Sequence, residues 1–247
     1  MRVIINADDL GGSRKVNGAI FQLMAAGCVT SATMLANGEA VEDAAMGAKD
    51  FAQCSFGVHL NASEFSPLTT GAGLSPILEP AGCFAGNALR EVRITAALRE
   101  ALFHEWSAQV ARVRSLGIAI SHLDSHHHMH TVPGVFPVVK RVQRRFGIRK
   151  VRITMNIYPE RLVVSRAHLL KKALWNFALR HVYRTVTTDG FTSLEVFLGV
   201  ANKLGRRYHT VELMTHPGSS SYQPETDLLR SPAFAPLRPL LISYNGL

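Results

Sequence analysis

Short β-rich apolar runs recur along the chain with helix-period segments between them, and this alternation narrows the fold more than any other feature of the 247 residues. Strands are predicted at Val3–Ala7, Val29–Ala36, Ser55–Leu60, Ile118–Asp124, Val151–Thr154, Val186–Thr188, Thr210–Thr215 and Leu241–Tyr244. Helical spacing fills the intervals: Ser13 to Gly27, Glu39–Lys49, Leu89–Leu116, the segment carrying Val135 to Phe146, Pro159 through Leu170, Leu174 and Phe177, Ser193–Leu204, and Ala233–Leu240. Strands separated by helices pair in parallel through crossover connections, which leaves an α/β barrel or an open doubly wound sheet. At this length, with 47% hydrophobic residues, one α/β unit can bury a large core. The expectation is an irregular (β/α) barrel, TIM-like, as a single domain over 1–247. Residues 64–88 break the pattern with Pro67, Pro76, Pro80 and several glycines, and read as a long substrate loop or surface insertion.

Charge excludes less than it first suggests. The chain carries 27 Lys and Arg against 18 Asp and Glu, a formal +9. Its densest basic stretch, Lys140 to Lys150, shares a helix with Val135, Val138, Val139, Val142 and Phe146, so its charges fall on the wet face. No series of stacking aromatics accompanies it, and nucleic acid is not expected as a partner. The N-terminal apolar run meets Asp8 and Asp9 too soon for a signal peptide, and no apolar run approaches the ~20 residues of a membrane span. Cys28, Cys54 and Cys83 are odd in number and widely spaced, which speaks against a disulfide framework. A soluble cytoplasmic protein is expected; homodimerisation is left open.

The chemistry collects around Ser121-His122-Leu123-Asp124-Ser125-His126-His127-His128-Met129-His130, where five of eleven histidines fall within ten residues. Several imidazoles are expensive to bury without partners, and neutral imidazole beside a carboxylate is the usual dress of a divalent-metal site. The block alone does not say which rings bind. Alternation would project His122, Asp124 and His126 to one face. Active sites of α/β barrels lie at the C-terminal ends of strands. There the predicted elements bring Asp8-Asp9, His59, Asp124 to His126, and His216 to one rim. One carboxylate and two imidazoles with open positions would suit a catalytic ion, and a second aspartate beside it could serve as a general base. Arg152 and Asp189, near predicted strand ends, could contact sugar hydroxyls or form an interior salt bridge.

Asn6-Ala7-Asp8-Asp9-Leu10-Gly11, Gly57-Val58-His59-Leu60, His122 to His130 and Glu212-Leu213-Met214-Thr215-His216-Pro217-Gly218 resemble, in order and spacing, the YdjC-like carbohydrate deacetylases. The resemblance implies an irregular (β/α) barrel that uses one divalent ion, Mg2+ or Zn2+, to remove an N-acetyl group from an amino sugar or an amino-sugar-containing compound. By motif position, Asp9, His59 and His126 would hold the metal and Asp8 would be the base. His216 would be the acid, partly by analogy with NodB-type polysaccharide deacetylases. His122, Asp124, His128 and Arg152 would support the site or touch substrate. The competing readings are a metal-dependent phosphoesterase on a barrel and a non-catalytic carbohydrate-binding protein.

Overall fold

The computed structural model describes residues 1–132, 134–162, 164–204 and 207–247. In chain order the elements are β1 (Arg2–Leu10), α1 (Arg14–Ala25), β2 (Ser31–Met34), α2 (Val41–Ala48), β3 (Ser55–Leu60), α3 (Ala88–Glu91), α4 (Ala96–Ser115), β4 (Ile120–Ser125), α5 (Phe136–Phe146), β5 (Lys150–Val151), α6 (Arg166–Phe177), β6 (Gly190–Ser193), α7 (Leu194–Leu204), β7 (Thr210–Thr215) and α8 (Gln223–Arg230). The local signals act as their chemistry dictates. Ser13 caps α1 by accepting from the Val16 N–H, and Gly27, at φ +67°, closes it in the left-handed region.

Seven strands form one parallel sheet in the order β5-β4-β3-β2-β1-β7-β6. The sheet curls into an irregular half-barrel, and its two edges approach each other. Val186 makes a parallel bridge to Lys150, and Asn156 exchanges hydrogen bonds with Phe191 of β6 at 3.2 and 2.9 Å. The eighth predicted strand, Leu241–Tyr244, is a single bridge from Leu241 to Val3 followed by a 3-10 turn. β2 begins opposite Asn6, so only the first residues of β1 have an open edge there. The strand predicted at Val186–Thr188 shrinks likewise to one bridge, and β6 starts at Gly190. The helix predicted over Leu89–Leu116 breaks between α3 and α4, where Thr95 caps α4. α6 begins at Arg166 under a Ser165 cap rather than at Pro159, and position 163 of that predicted helix lies outside the described residues.

Side-chain parity sorts the interior. Val3, Ile5 and Ala7 of β1, Phe56, Val58 and Leu60 of β3, Leu123 of β4, and Val211 and Leu213 of β7 all join the apolar core shared with the helices. Their neighbours in sequence point the other way, because successive strand residues alternate faces. Those neighbours are largely polar: Asn6, Asp8, Thr33, His59, His122, Asp124 and Glu212, all buried. The curled sheet therefore has an apolar outside and a polar inside. The C-terminal turn crosses the end of the barrel opposite the active rim, where Tyr244 is fully buried and stacks on His122 with ring centroids 3.6 Å apart. Gly57 makes room for that pair, since a Cβ there would stand 2.6 Å from the His122 ring.

Candidate metal centre

In a regular strand Asp8 and Asp9 would face opposite sides. Here a bulge between Ala7 and Leu10 interrupts the register with β2, and Asp9 adopts φ +66°. The bulge re-aims Asp9 so that both carboxylates serve the same rim. Left-handed backbone at a non-glycine residue is a strained choice, and such strain concentrates at functional sites. His127 and His128 repeat it at φ +50° and +54° just after β4, coiling the histidine block tightly over the strand end.

Asp9 Oδ1 lies 3.3 Å from His59 Nε2 and 2.9 Å from His126 Nδ1. One donor atom from each of the three residues lies within 4.8 Å of the other two. Ligands sitting about 2.0–2.2 Å from one ion are spaced on this scale. Asp9 Oδ1 and His126 Nε2 are buried without an aligned hydrogen-bond partner. Behind the donors is an orienting layer. His59 Nδ1 faces Asp124 Oδ1 at 2.7 Å and Thr33 Oγ1 at 3.1 Å, which leaves Nε2 turned toward Asp9. His126 Nε2 is 3.3 Å from the Glu64 carboxylate, at the head of the 64–88 segment. A carboxylate behind each ring is the arrangement that fixes tautomer and orientation in metal sites.

Arg152, fully buried, ties the polar interior together. Its guanidinium donates to both oxygens of Asp8 at 2.6 and 2.7 Å, meets Asp124 Oδ2 at 2.9 Å, and donates through Nε to Glu212 at 2.7 Å. The Tyr244 hydroxyl donates to the other Glu212 oxygen at 2.5 Å. Burial alone would raise the Asp8 pKa, but the charge and hydrogen bonds of Arg152 hold it well below the usual carboxylate range. Glu212 responds to burial instead and is pushed up to about 7. Burial opposes protonation of His59 and His126, yet Asp124 and Asp9 for the first, and Asp9 and Glu64 for the second, lift them to about 10 and about 9. A site that holds protons on imidazoles this firmly is strongly cation-attracting. His216, at the end of β7, stacks on Tyr222 and sets Nδ1 3.3 Å from Glu225. Burial works against its protonation, and Glu225, Asp8 and Asp9 outweigh that and raise its pKa.

The remaining residues of the histidine block do other work. His122 packs under the barrel against Tyr244, with Ser121 Oγ 2.8 Å from its Nδ1, and burial keeps it neutral. His130 is locked between Ser125 Oγ at 2.6 Å and the Arg152 carbonyl at 3.0 Å. His127 meets Ser63. His128 stands edge-on to Phe191 with its Nδ1 unpartnered, in the wall of a cavity of about 850 Å³ bounded by α6 and the segment after β5. Phe191 in turn covers the Arg152 guanidinium, 4.9 Å from its ring centre. Asp189 lies outside the site: it accepts from the backbone N–H groups of His209 and Thr210. Glu64, Thr33, Glu212, Tyr244 and Glu225 are the participants that sequence reasoning missed. Glu212 alone left a signal, as a charge inside an otherwise β-apolar run.

The 64–88 segment is more ordered than its prolines imply. Glu105 of α4 accepts from the Leu68 and Thr69 N–H groups, and Leu74, Ile77 and Phe84 are buried beneath it.

Residues 2–237 match the sequence model of the YdjC-like protein family. The chain belongs to that family. A relative from Geobacillus stearothermophilus named carbohydrate deacetylase is 37% identical over 216 residues, covering 87% of this chain and 78% of its own. One of the same name from Halalkalibacterium halodurans is 37% identical over 152 residues, 60% of this chain, and the match spans less than two thirds, 62%, of the relative's length. Among solved structures, an Enterococcus faecalis V583 protein provisionally described as a cellobiose-phosphate cleavage protein superposes with a TM-score of 0.79 at 22% identity, over 99% of this chain and 97% of its own. That likeness shows the YdjC-like chain's fold to be shared.

Proposed function

We propose that this YdjC-like chain is a divalent-metal-dependent carbohydrate N-deacetylase, hydrolysing the acetamide of an amino sugar or an amino-sugar-containing compound within one catalytic domain. The observation that carries the reading is the Asp9–His59–His126 donor set with Asp8, kept ionised by Arg152, in the same buried cluster. The name carried by the relatives supports it. An ion held by Asp9, His59 and His126 would supply Lewis acidity toward water and toward the acetyl oxygen. Two imidazole donors weigh toward zinc over magnesium, which prefers oxygen.

The chain's own groups account for the proton traffic. Arg152 keeps Asp8 ionised, so its carboxylate is free to accept a proton from the attacking water, with its basicity set by how tightly the guanidinium holds it. Asp124 and Glu64 hold the two rings in orientation. As the water oxygen bonds to the acetyl carbon and the C–N bond breaks, the departing nitrogen needs a proton. We assign that proton to His216, which Glu225 biases toward its protonated form. The products are acetate and a free amine. The 64–88 segment carries Glu64 to the rim and would border the sugar.

The test is acetate release from a panel of N-acetylated sugars and glycolipids by chelator-stripped protein, before and after metal is restored. Acetate that appears only with metal and vanishes in His59→Ala supports the reading. Full activity under complete chelation, or phosphate release from phosphoesters in its place, overturns it.

A further inference from the structure

Helix α6 is built inside out. Five large apolar residues lie on its twelve positions, yet Asn176 is its one buried residue. Leu170, Leu174 and Phe177 are 57–60% exposed and fall on one helical stripe, with Leu169 at its flank exposed at 42% and Leu162 and Val182 exposed at 54% and 70% beyond the two ends of the helix. These six account for most of the exposed large hydrophobics among the described residues, and they fall within about twenty positions of each other. Scattered singly they would need no explanation, but a contiguous apolar patch marks a contact surface. The opposite face of α6 explains its attachment: Trp175 packs edge-on to Phe136, and Asn176 bonds the Thr154 backbone and hydroxyl.

The charge around the stripe says what covers it. From Arg161 to Arg184 there is no Asp or Glu, while Arg161, Arg166, Lys171 and Arg184 are all exposed. Of the acids that flank it, Glu160 is paired with Lys203, and Asp189, which borders a cavity beside Leu170 and Phe177, accepts from the His209 and Thr210 N–H groups. A second copy docking by a two-fold axis would place this patch against itself, with Arg161, Arg166, Lys171 and Arg184 facing their own kind and the bordering carboxylates already engaged, on a chain already at +9. An apolar stripe flanked by Arg and Lys is instead complementary to an anionic bilayer, into whose interface such a helix sinks by about 5–10 Å. We infer that α6 and its flanks are a peripheral docking surface for membranes containing anionic lipids. Leu170 and Leu174 also line the cavity that reaches His128 and Phe191, so docking would turn that cavity's mouth toward the lipid interface.

The experiment is co-sedimentation of the full chain with vesicles of phosphatidylcholine alone and of phosphatidylcholine mixed about 2:1 with phosphatidylglycerol, at low salt and at about 0.5 M salt. Two variants accompany it, Leu170→Glu/Leu174→Glu and Arg166→Glu/Lys171→Glu, all at exposed positions, with sedimentation equilibrium on each. Binding to the mixed vesicles alone is expected, weakened by salt, abolished in the leucine variant, and reduced at least roughly 25-fold in the charge variant at about fivefold per cation. Native protein that stays in the supernatant with anionic vesicles at low salt overturns the inference. So does a native dimer that the leucine variant dissociates, or binding unchanged in both variants. Should a variant fail to fold, the lipid-charge and salt dependence of the native protein decides alone.

Discussion

Replacing Arg152 by methionine tests the electrostatic logic of the interior most directly. The guanidinium is the fully buried cation facing Asp8, Asp124 and Glu212, at 2.6–2.9 Å from each. Truncating one partner of a buried pair typically costs about 3–5 kcal/mol, because the other charge is left uncompensated. Asp8 loses its bidentate partner altogether, so the full figure applies, against a typical total stability of about 5–15 kcal/mol.

The pH dependence gives the sign. With Arg152 present, the Asp8 pKa is depressed, so its contribution is complete above its ordinary 3.8 and is lost only as pH falls below that. Without Arg152, burial dominates: the native Asp8 pKa rises above its unfolded value, and Glu212, already pushed up to about 7 beside Arg152, rises further. Each then takes up a proton on folding, and the variant gains stability as pH falls toward 4.5. The gap between the two proteins should thus be small near pH 5 and widen toward pH 8, by up to about 1.4 kcal/mol per pH unit from Asp8, with Glu212 adding to it only above about pH 7, where the unmutated protein has already released that proton. Urea unfolding of metal-stripped protein at intervals between those limits reads it. A gap under about 1 kcal/mol at pH 8, or one that does not change with pH, refutes the reasoning.

Four further outcomes follow from the geometry. Metal titration of stripped protein at pH 7 should displace about two protons per ion, since His59 at about 10 and His126 at about 9 carry them beforehand; calorimetric heats that do not depend on the buffer's ionisation enthalpy contradict this. Asp9→Gly should keep the bulge, because glycine tolerates φ +66°, while metal affinity collapses; retained affinity in a binding titration is the adverse result. Gly57→Ala should lose about 1–3 kcal/mol by forcing the His122 ring off Tyr244, seen as a melting-temperature drop of several degrees, and an unchanged melt counts against that packing. His216→Gln should lower N-deacetylation by about 10²–10⁴-fold but spare an activated aryl acetate, whose leaving group needs no proton; equal losses on both substrates remove the acid role.

Most of the fold was legible because alternation of strand and helix patterns is a global signal that survives local errors. The misreadings were at places where tertiary context decides. Leu241–Tyr244 has strand-forming residues but finds almost no open edge on β1. The Leu170, Leu174 and Phe177 stripe has the spacing of a core face and is nonetheless exposed. At the site, residue types and spacing pointed to a metal without saying which rings bind; the motif resemblance named Asp9, His59 and His126, and these are groups brought together. The bulge that turns Asp9 inward left no mark in the sequence, nor did the reach of Glu64 to His126 across an apparently irregular loop. Crowding of histidines is also a weaker guide than it looks: of the five in the block, His126 joins the donor set, while His122 and His130 are packing and hydrogen-bonding parts of the interior.

The unbroken path from Tyr244 through Glu212 and Arg152 to Asp8 means that the floor and the rim respond to a titration as one body. Laboratory selections that diversify the residues around the sugar would miss half of what tunes the base. Substitutions at Tyr244 or Glu212, both fully buried, are where variants with an altered Arg152–Asp8 contact should be sought.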